Sequence, residues 1–228
     1  MVLRLFLLAL SWAACVSAAA QASASAVATS DYRFRGVSLS ADRPALQGDL
    51  GWDFAAGAYL GIFASNVRFY ETAPAQVQGS AYAGYARALD ADWSVDAGAT
   101  YGGFSRDREY DYGEAHAGVA WRNLSARLSW SPNYFGQSLH TWYAELDGAQ
   151  PLGGSLRAVG HAGLLWMASG ECAGPCTNAD ARAGAQWAWR SLQLQVARVL
   201  NQGSISAYPV GGSPRTHGAW VAQLAYRY

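Results

Sequence analysis

The run Ala219-Trp220-Val221-Ala222-Gln223-Leu224-Ala225-Tyr226-Arg227-Tyr228 decides how the rest of the chain is read. Tyr228, Tyr226, Leu224, Ala222 and Trp220 share one parity; Arg227, Ala225, Gln223 and Val221 share the other. A period of two marks a β-strand, whose successive side chains point to opposite faces. One face is apolar with an aromatic at each end, and the polar groups lie across from it. At the open edge of a soluble sheet, so apolar a strand would recruit other chains. In a closed membrane barrel both edges are paired and the apolar face meets lipid. The pattern therefore predicts that the remaining chain supplies the other strands of such a barrel.

Composition narrows the class. The chain has 228 residues with 16 basic and 16 acidic side chains, so it has no net charge to attract a nucleic acid. All the basic residues are arginine, which we read as codon bias and give no weight. Charged residues are 14% of the chain, against about 25% in ordinary soluble domains. Beyond the N-terminus no run is apolar enough for a membrane helix, which needs about 20 residues. Low charge, abundant tryptophan and glycine and a mean hydropathy near zero fit a transmembrane β-barrel, in which alternation dilutes the apolar residues. A secreted β-sandwich is the soluble competitor.

The N-terminus reads as a signal peptide over residues 1–20. Arg4 forms the positive region, residues 5–16 the apolar core, and Ala18-Ala19-Ala20 the cleavage site before Gln21. Cleavage after Ala22 is the alternative, and the residues before Cys15 match a lipoprotein signal poorly. Residues 21–228 are then one barrel domain with two cysteines, Cys172 and Cys176.

Walking back from the last strand gives twelve alternating segments, an antiparallel up-and-down β-barrel. The first is expected over residues 22–35, with Arg33 and Arg35 on its inner face. The segment over residues 58–67 is ambiguous, because both parities are apolar. Elsewhere the faces separate: Leu124, Ala126, Leu128 and Trp130 stand against Ser125, Arg127, Ser129 and Ser131. Short links such as Arg122-Asn123 alternate with long ones such as residues 68–75, as short periplasmic turns alternate with external loops in outer-membrane barrels. Trp52, Trp93, Trp121, Trp187 and Trp189 lie beside short turns; Trp130, Trp142, Trp166 and Trp220 lie toward long links. Two such girdles suit amphipathic rings at membrane interfaces, whereas a sandwich core would hold its tryptophans mid-strand.

Ser30-Asp31-Tyr32-Arg33-Phe34-Arg35-Gly36-Val37-Ser38, with Pro44-Ala45-Leu46-Gln47-Gly48 after it, resembles the opening signature of the TorF porin family. Ala64-Ser65-Asn66-Val67 and Trp130-Ser131-Pro132-Asn133-Tyr134-Phe135-Gly136 match further on, in the expected order. The resemblance covers most of the mature chain and implies an outer-membrane barrel acting as a porin, with no assigned substrate.

Charge at mid-bilayer on the lipid face costs about 2–4 kcal/mol per group, so the charged parity is the inner one. Arg33, Arg35, Asp49, Asp53, Asp96, Glu114, Arg127, Glu145, Asp147, Arg157, Asp180 and Arg182 are the expected lumen-lining set. Opposed ladders of the two signs would orient polar solutes in a passive diffusion channel. The alternative is an arginine–carboxylate network that plugs the barrel, since buried charges are paired. Cys172 and Cys176 are expected to form a disulfide pinning an external loop; as a metal site the pair lacks neighbouring ligands. No cofactor, metal or catalytic residue is expected. A lipid-acting enzyme would need a serine and histidine together on the lipid face, and only Ser138 and His140 come close, without a Gly-x-Ser-x-Gly setting. A structural or adhesive barrel would need longer loops. The expected partners are outer-membrane lipid, small hydrophilic solutes, and the barrel-assembly machinery reading the terminal aromatic strand. At the seam, Gln223 and Arg227 are expected beside Ser25 and Ser23.

Overall fold

The computed structural model describes residues 21–167, 177–203, 208 and 218–228. The expected leader and the link holding Cys172 and Cys176 lie outside the described residues. In chain order the strands are β1 (Gln21–Thr29), the two-residue pair β2 (Arg33–Phe34) and β3 (Val37–Ser38), then β4 (Ala45–Asp53) and β5 (Ala58–Val67). They continue with β6 (Gln76–Ala88), β7 (Trp93–Phe104), β8 (Tyr112–Trp121), β9 (Leu124–Ser131) and β10 (Thr141–Gly153). The last are β11 (Leu156–Met167), β12 (Thr177–Trp189), β13 (Leu192–Gly203) and β14 (Ala219–Arg227). β1 and β4 to β14 form a closed antiparallel barrel of twelve strands, and β2 and β3 pair only with each other.

The seam joins β1 to β14, with Ser25 opposite Arg227 and Thr29 opposite Gln223. Arg227 therefore lies beside Ser25 rather than Ser23, and Gln223 lies further along β1 than expected. Antiparallel partners run in opposite directions, so four residues back along β14 are four residues forward along β1. Tyr228 completes the closure: its N–H donates to the Ala24 carbonyl at 2.9 Å and its carbonyl accepts from the Ala24 N–H at 3.1 Å.

The outer wall carries the apolar parity. Leu50, Ile62, Leu146, Leu164, Leu194 and Leu224 all face away from the barrel axis and are exposed. The tryptophans pair across strands at both ends, Trp93 with Trp121 near the short turns and Trp142 with both Trp130 and Trp166 near the long links. Arg198 has outward parity; its guanidinium lies 6.0 Å from the Trp220 ring, so the long side chain reaches the aromatic girdle.

Two features depart from the reading of the sequence. The first strand stops at Thr29 rather than running to residue 35, so Arg33 and Arg35 are not on a barrel strand. Residues 30–44 instead turn into the lumen as a strap built on the β2–β3 hairpin. Second, β5 is not ambiguous: Leu60 and Ile62 face out, while Tyr59, Phe63 and Val67 are among its inner residues. Its inner face is apolar because near the long links the lumen is filled with protein. Val37, Leu39, Phe69, Tyr134, Phe135, Leu139 and Tyr208 from the links pack on Val67, Phe104, Tyr112, Tyr143, Leu165 and Met167 from the strands. Leu39, Tyr134, Phe135 and Leu165 are fully buried there.

Candidate functional site: the barrel lumen

The strap owes its shape to Asp31. Its carboxylate accepts from Ser38 Oγ at 2.6 Å, Ser40 Oγ at 3.0 Å and Arg33 Nε at 2.5 Å. These bonds fold residues 31–40 on themselves, and Arg33 adds an ion pair to Asp42 at 2.9 Å. At the hairpin tip Arg35 and Gly36 have φ of 49° and 78°. Two positive values are what a tight two-residue hairpin turn requires. Glycine adopts this freely; for arginine it is a strained position of order 1 kcal/mol or more.

Contacts with the far wall hold the tip. Arg35 makes a bidentate pair with Glu114 on β8, Nη1 to Oε1 at 2.8 Å and Nη2 to Oε2 at 2.9 Å. Its guanidinium lies 4.0 Å from the centre of the Tyr143 ring on β10, and Nη1 donates to the Tyr134 hydroxyl at 3.1 Å. The closed strand order places β8 and β10 across the barrel from β1 and β4, between which the strap leaves the wall. The Asn201 amide on β13 donates to the Arg35 carbonyl at 3.2 Å. A Cβ on Gly36 would sit 2.7 Å from Asp180 Cβ, so only glycine fits between tip and wall. Burial opposes the charge on Arg35, but the Glu114 carboxylate outweighs it and holds the guanidinium well above its ordinary pKa. Burial pushes the Tyr134 hydroxyl the other way for an acid, well above the usual phenol range, so it stays neutral.

Beneath the strap lies a polar cavity of about 780 Å³. Inner residues toward the short turns, among them Ser23, Asp53, Arg127 and Arg157, are exposed, whereas Thr29, Ser131 and Asn201 toward the long links are buried. The lumen is thus wet on the short-turn side and packed on the other. Its wall holds three hydrogen-bonded groups. Tyr82 donates to both Asp49 oxygens at 3.0 and 3.1 Å. His116 Nε2 lies 3.0 Å from Asp96 Oδ2 and 3.1 Å from the Tyr59 hydroxyl, and Arg127 Nη2 reaches the same Asp96 oxygen at 3.4 Å. His161 lies between Asp147 and Asp180, at 2.9 Å from each, with Arg182 Nη2 3.4 Å from Asp147.

Of the expected lumen set, Arg33, Arg35, Asp96, Glu114, Arg127, Glu145, Asp147, Asp180 and Arg182 line this cavity. Asp49 stands behind the Tyr82 hydroxyl. Asp53 and Arg157 are exposed near the short turns and take no part in the cavity wall. Sequence reading missed the tyrosines. Tyr59, Tyr82 and Tyr143 have inner parity, and that parity was their only sign. Tyr59 lies across the inner glycines of neighbouring strands: a Cβ on Gly84 would come 2.4 Å from its hydroxyl oxygen. On the link carrying Ser138 and His140, the Ser138 N–H donates to Asn133 Oδ1 at 2.7 Å. The His140 ring there packs against Trp130 at 6.4 Å.

Two separate stretches of the motif-bearing sequence meet at the tip. Phe34 packs edge-on against Phe135 at 6.0 Å, beside the Arg35–Tyr134 hydrogen bond.

The barrel is similar to solved outer-membrane porins. The KdgM porin aligns with a TM-score of 0.56 at 11% identity, covering 90% of this chain and 98% of that one. The NanC porin aligns with a TM-score of 0.53 at 10% identity, again covering 90% and 98%. At such identities the likeness is one of fold. No curated protein matches the chain in sequence. A family model described as "Bacterial protein of unknown function (Gcw_chp)" matches residues 13–224, nearly the whole chain, and the protein belongs to that family.

Proposed function

We propose that the protein is an outer-membrane channel for small hydrophilic solutes, exported by its 1–20 leader, with its external side narrowed by the strap. The observation that carries this reading is the polar cavity, bounded by inward charge below and by the strap above. Short turns would face the periplasm and the long links the exterior, where Cys172 and Cys176 would form their disulfide. The likeness to porin folds and the TorF-like motifs support the same assignment.

The wall chemistry favours neutral or zwitterionic solutes. One similar structure is titled as KdgM porin in complex with disordered oligogalacturonate. In this chain Arg33, Arg35, Arg127 and Arg182 each face a carboxylate within ion-pair distance, which removes the one-signed track a polyanion needs.

Planar-bilayer recording tests the reading, with heat-modifiable migration confirming that each variant has folded. Wild type should give small discrete steps, and Arg35→Ala, which frees the tip, should enlarge them several-fold. Silence in both would favour a second reading, a plugged structural barrel, for which the fully buried Leu39, Tyr134, Phe135 and Leu165 speak.

A further inference from the structure

The His161 group contains a chemical problem that a proton solves only in part. Asp180 is buried, at 7% exposure, and its oxygens take the Tyr143 hydroxyl at 3.0 Å and His161 Nε2 at 2.9 Å. Nε2 must carry its hydrogen to serve that carboxylate. In the neutral ring the other nitrogen, Nδ1, is then a lone pair, and it lies 2.9 Å from Asp147 Oδ1. A lone pair and a carboxylate oxygen at that distance repel unless a proton or a cation lies between them; Arg182 Nη2 reaches the same oxygen only at 3.4 Å.

A proton on Nδ1 would reconcile these two groups. Its charge would reach Glu145 only through space, because that carboxylate has no hydrogen bond and no ion pair within 4.0 Å among the described residues. Arg127 is its register partner on β9, yet that guanidinium reaches Asp96 instead. Glu145, Asp147 and His161 each offer one ligand atom, and those atoms all lie within 4.8 Å of one another. All three residues line the cavity and are reachable through it.

We propose that Glu145, Asp147 and His161 bind a divalent first-row transition cation such as Zn²⁺ in the lumen. His161 Nδ1 and one oxygen from each carboxylate are the ligands, and waters from the cavity fill the remaining positions. One nitrogen and two oxygens suit such a cation. Asp180 is a positioning residue, holding the imidazole by its far N–H as carboxylates do behind metal-bound histidines. Sequence spacing conceals the set, since Glu145 and Asp147 are two apart on β10 while His161 comes from β11 as the register partner of Asp147. The proposal does not depend on transport: a barrel that binds Zn²⁺ and passes no current upholds it and removes the channel.

The test is calorimetric titration of Zn²⁺ into the refolded, chelator-washed chain, purified without a histidine tag, with bound metal counted by mass spectrometry. About one equivalent should bind tightly enough to survive desalting. Glu145→Gln, which keeps shape and removes charge, should weaken it at least tenfold, and His161→Asn should abolish it. Asp180→Asn should weaken it about 10–100-fold without altering stoichiometry. Each variant is first shown to fold by heat-modifiable migration. No binding by the folded wild type, or equal binding by wild type and Glu145→Gln, overturns the site.

Discussion

Arg35 combines a strained backbone, a buried charge and a partner on the opposite wall. Its positive φ would favour glycine at that position, and the bidentate bond to Glu114 and the Tyr143 ring face offset the strain. Removing one member of a buried pair leaves the other charge unmatched and costs about 3–5 kcal/mol. Glu114→Ala should therefore lower unfolding free energy by about 3 kcal/mol, read by denaturant titration in detergent, and Glu114→Gln should cost less because it still accepts a hydrogen bond. Gly36→Val tests the same joint sterically. Its side chain would collide with Asp180 and Asn201, so limited proteolysis should cut residues 30–44 in the variant and spare wild type. None of this was readable residue by residue. Arg33 and Arg35 fit the inner parity of a continued strand, and nothing local shows that Asp31 gathers Arg33, Ser38 and Ser40 into a hairpin. They reach the cavity on the strap and not on the first barrel strand.

At the scale of the strand, alternation sufficed where the outer residues are large and apolar and the inner ones polar or small. β9 and β14 separate by parity in this way, although Ser129, Ser131, Val221 and Ala225 on their inner faces are buried. Alternation weakens where strands pass beside the packed links. Val67, Phe104, Leu165 and Met167 are inward and apolar, since protein rather than water meets them there. β5 was illegible for this reason. The faces and closing place of the last strand were legible and its register was not; the structure adds what its last residue does: Tyr228 exchanges two backbone hydrogen bonds with Ala24 across the seam. Deleting Tyr228 should lower the yield of heat-modifiable barrel while export across the inner membrane continues. Undiminished yield, measured by migration of unboiled samples, would detach the terminal residue from closure.

For the whole molecule, the tryptophans set the height of the apolar wall, with Trp93 and Trp121 paired at one rim and Trp130, Trp142 and Trp166 at the other. In liposomes, lipids brominated near the glycerol end of the acyl chain should quench this fluorescence more than lipids brominated near the chain terminus. The reverse order would place the rings mid-membrane and dissolve the girdles. The strap also has a kinetic consequence. Where it leaves β1, the Ser30 N–H donates to the Ala222 carbonyl at 2.9 Å, and Ser30 Oγ accepts from the Ala222 N–H at 3.0 Å. The residue at which the chain turns inward is therefore also a rung joining the first strand to the last. Sealing the cylinder and filling its mouth share that rung, so the two should occur together in time. A half-made barrel with an open seam would have an unfilled mouth, and a finished one would rarely be found empty.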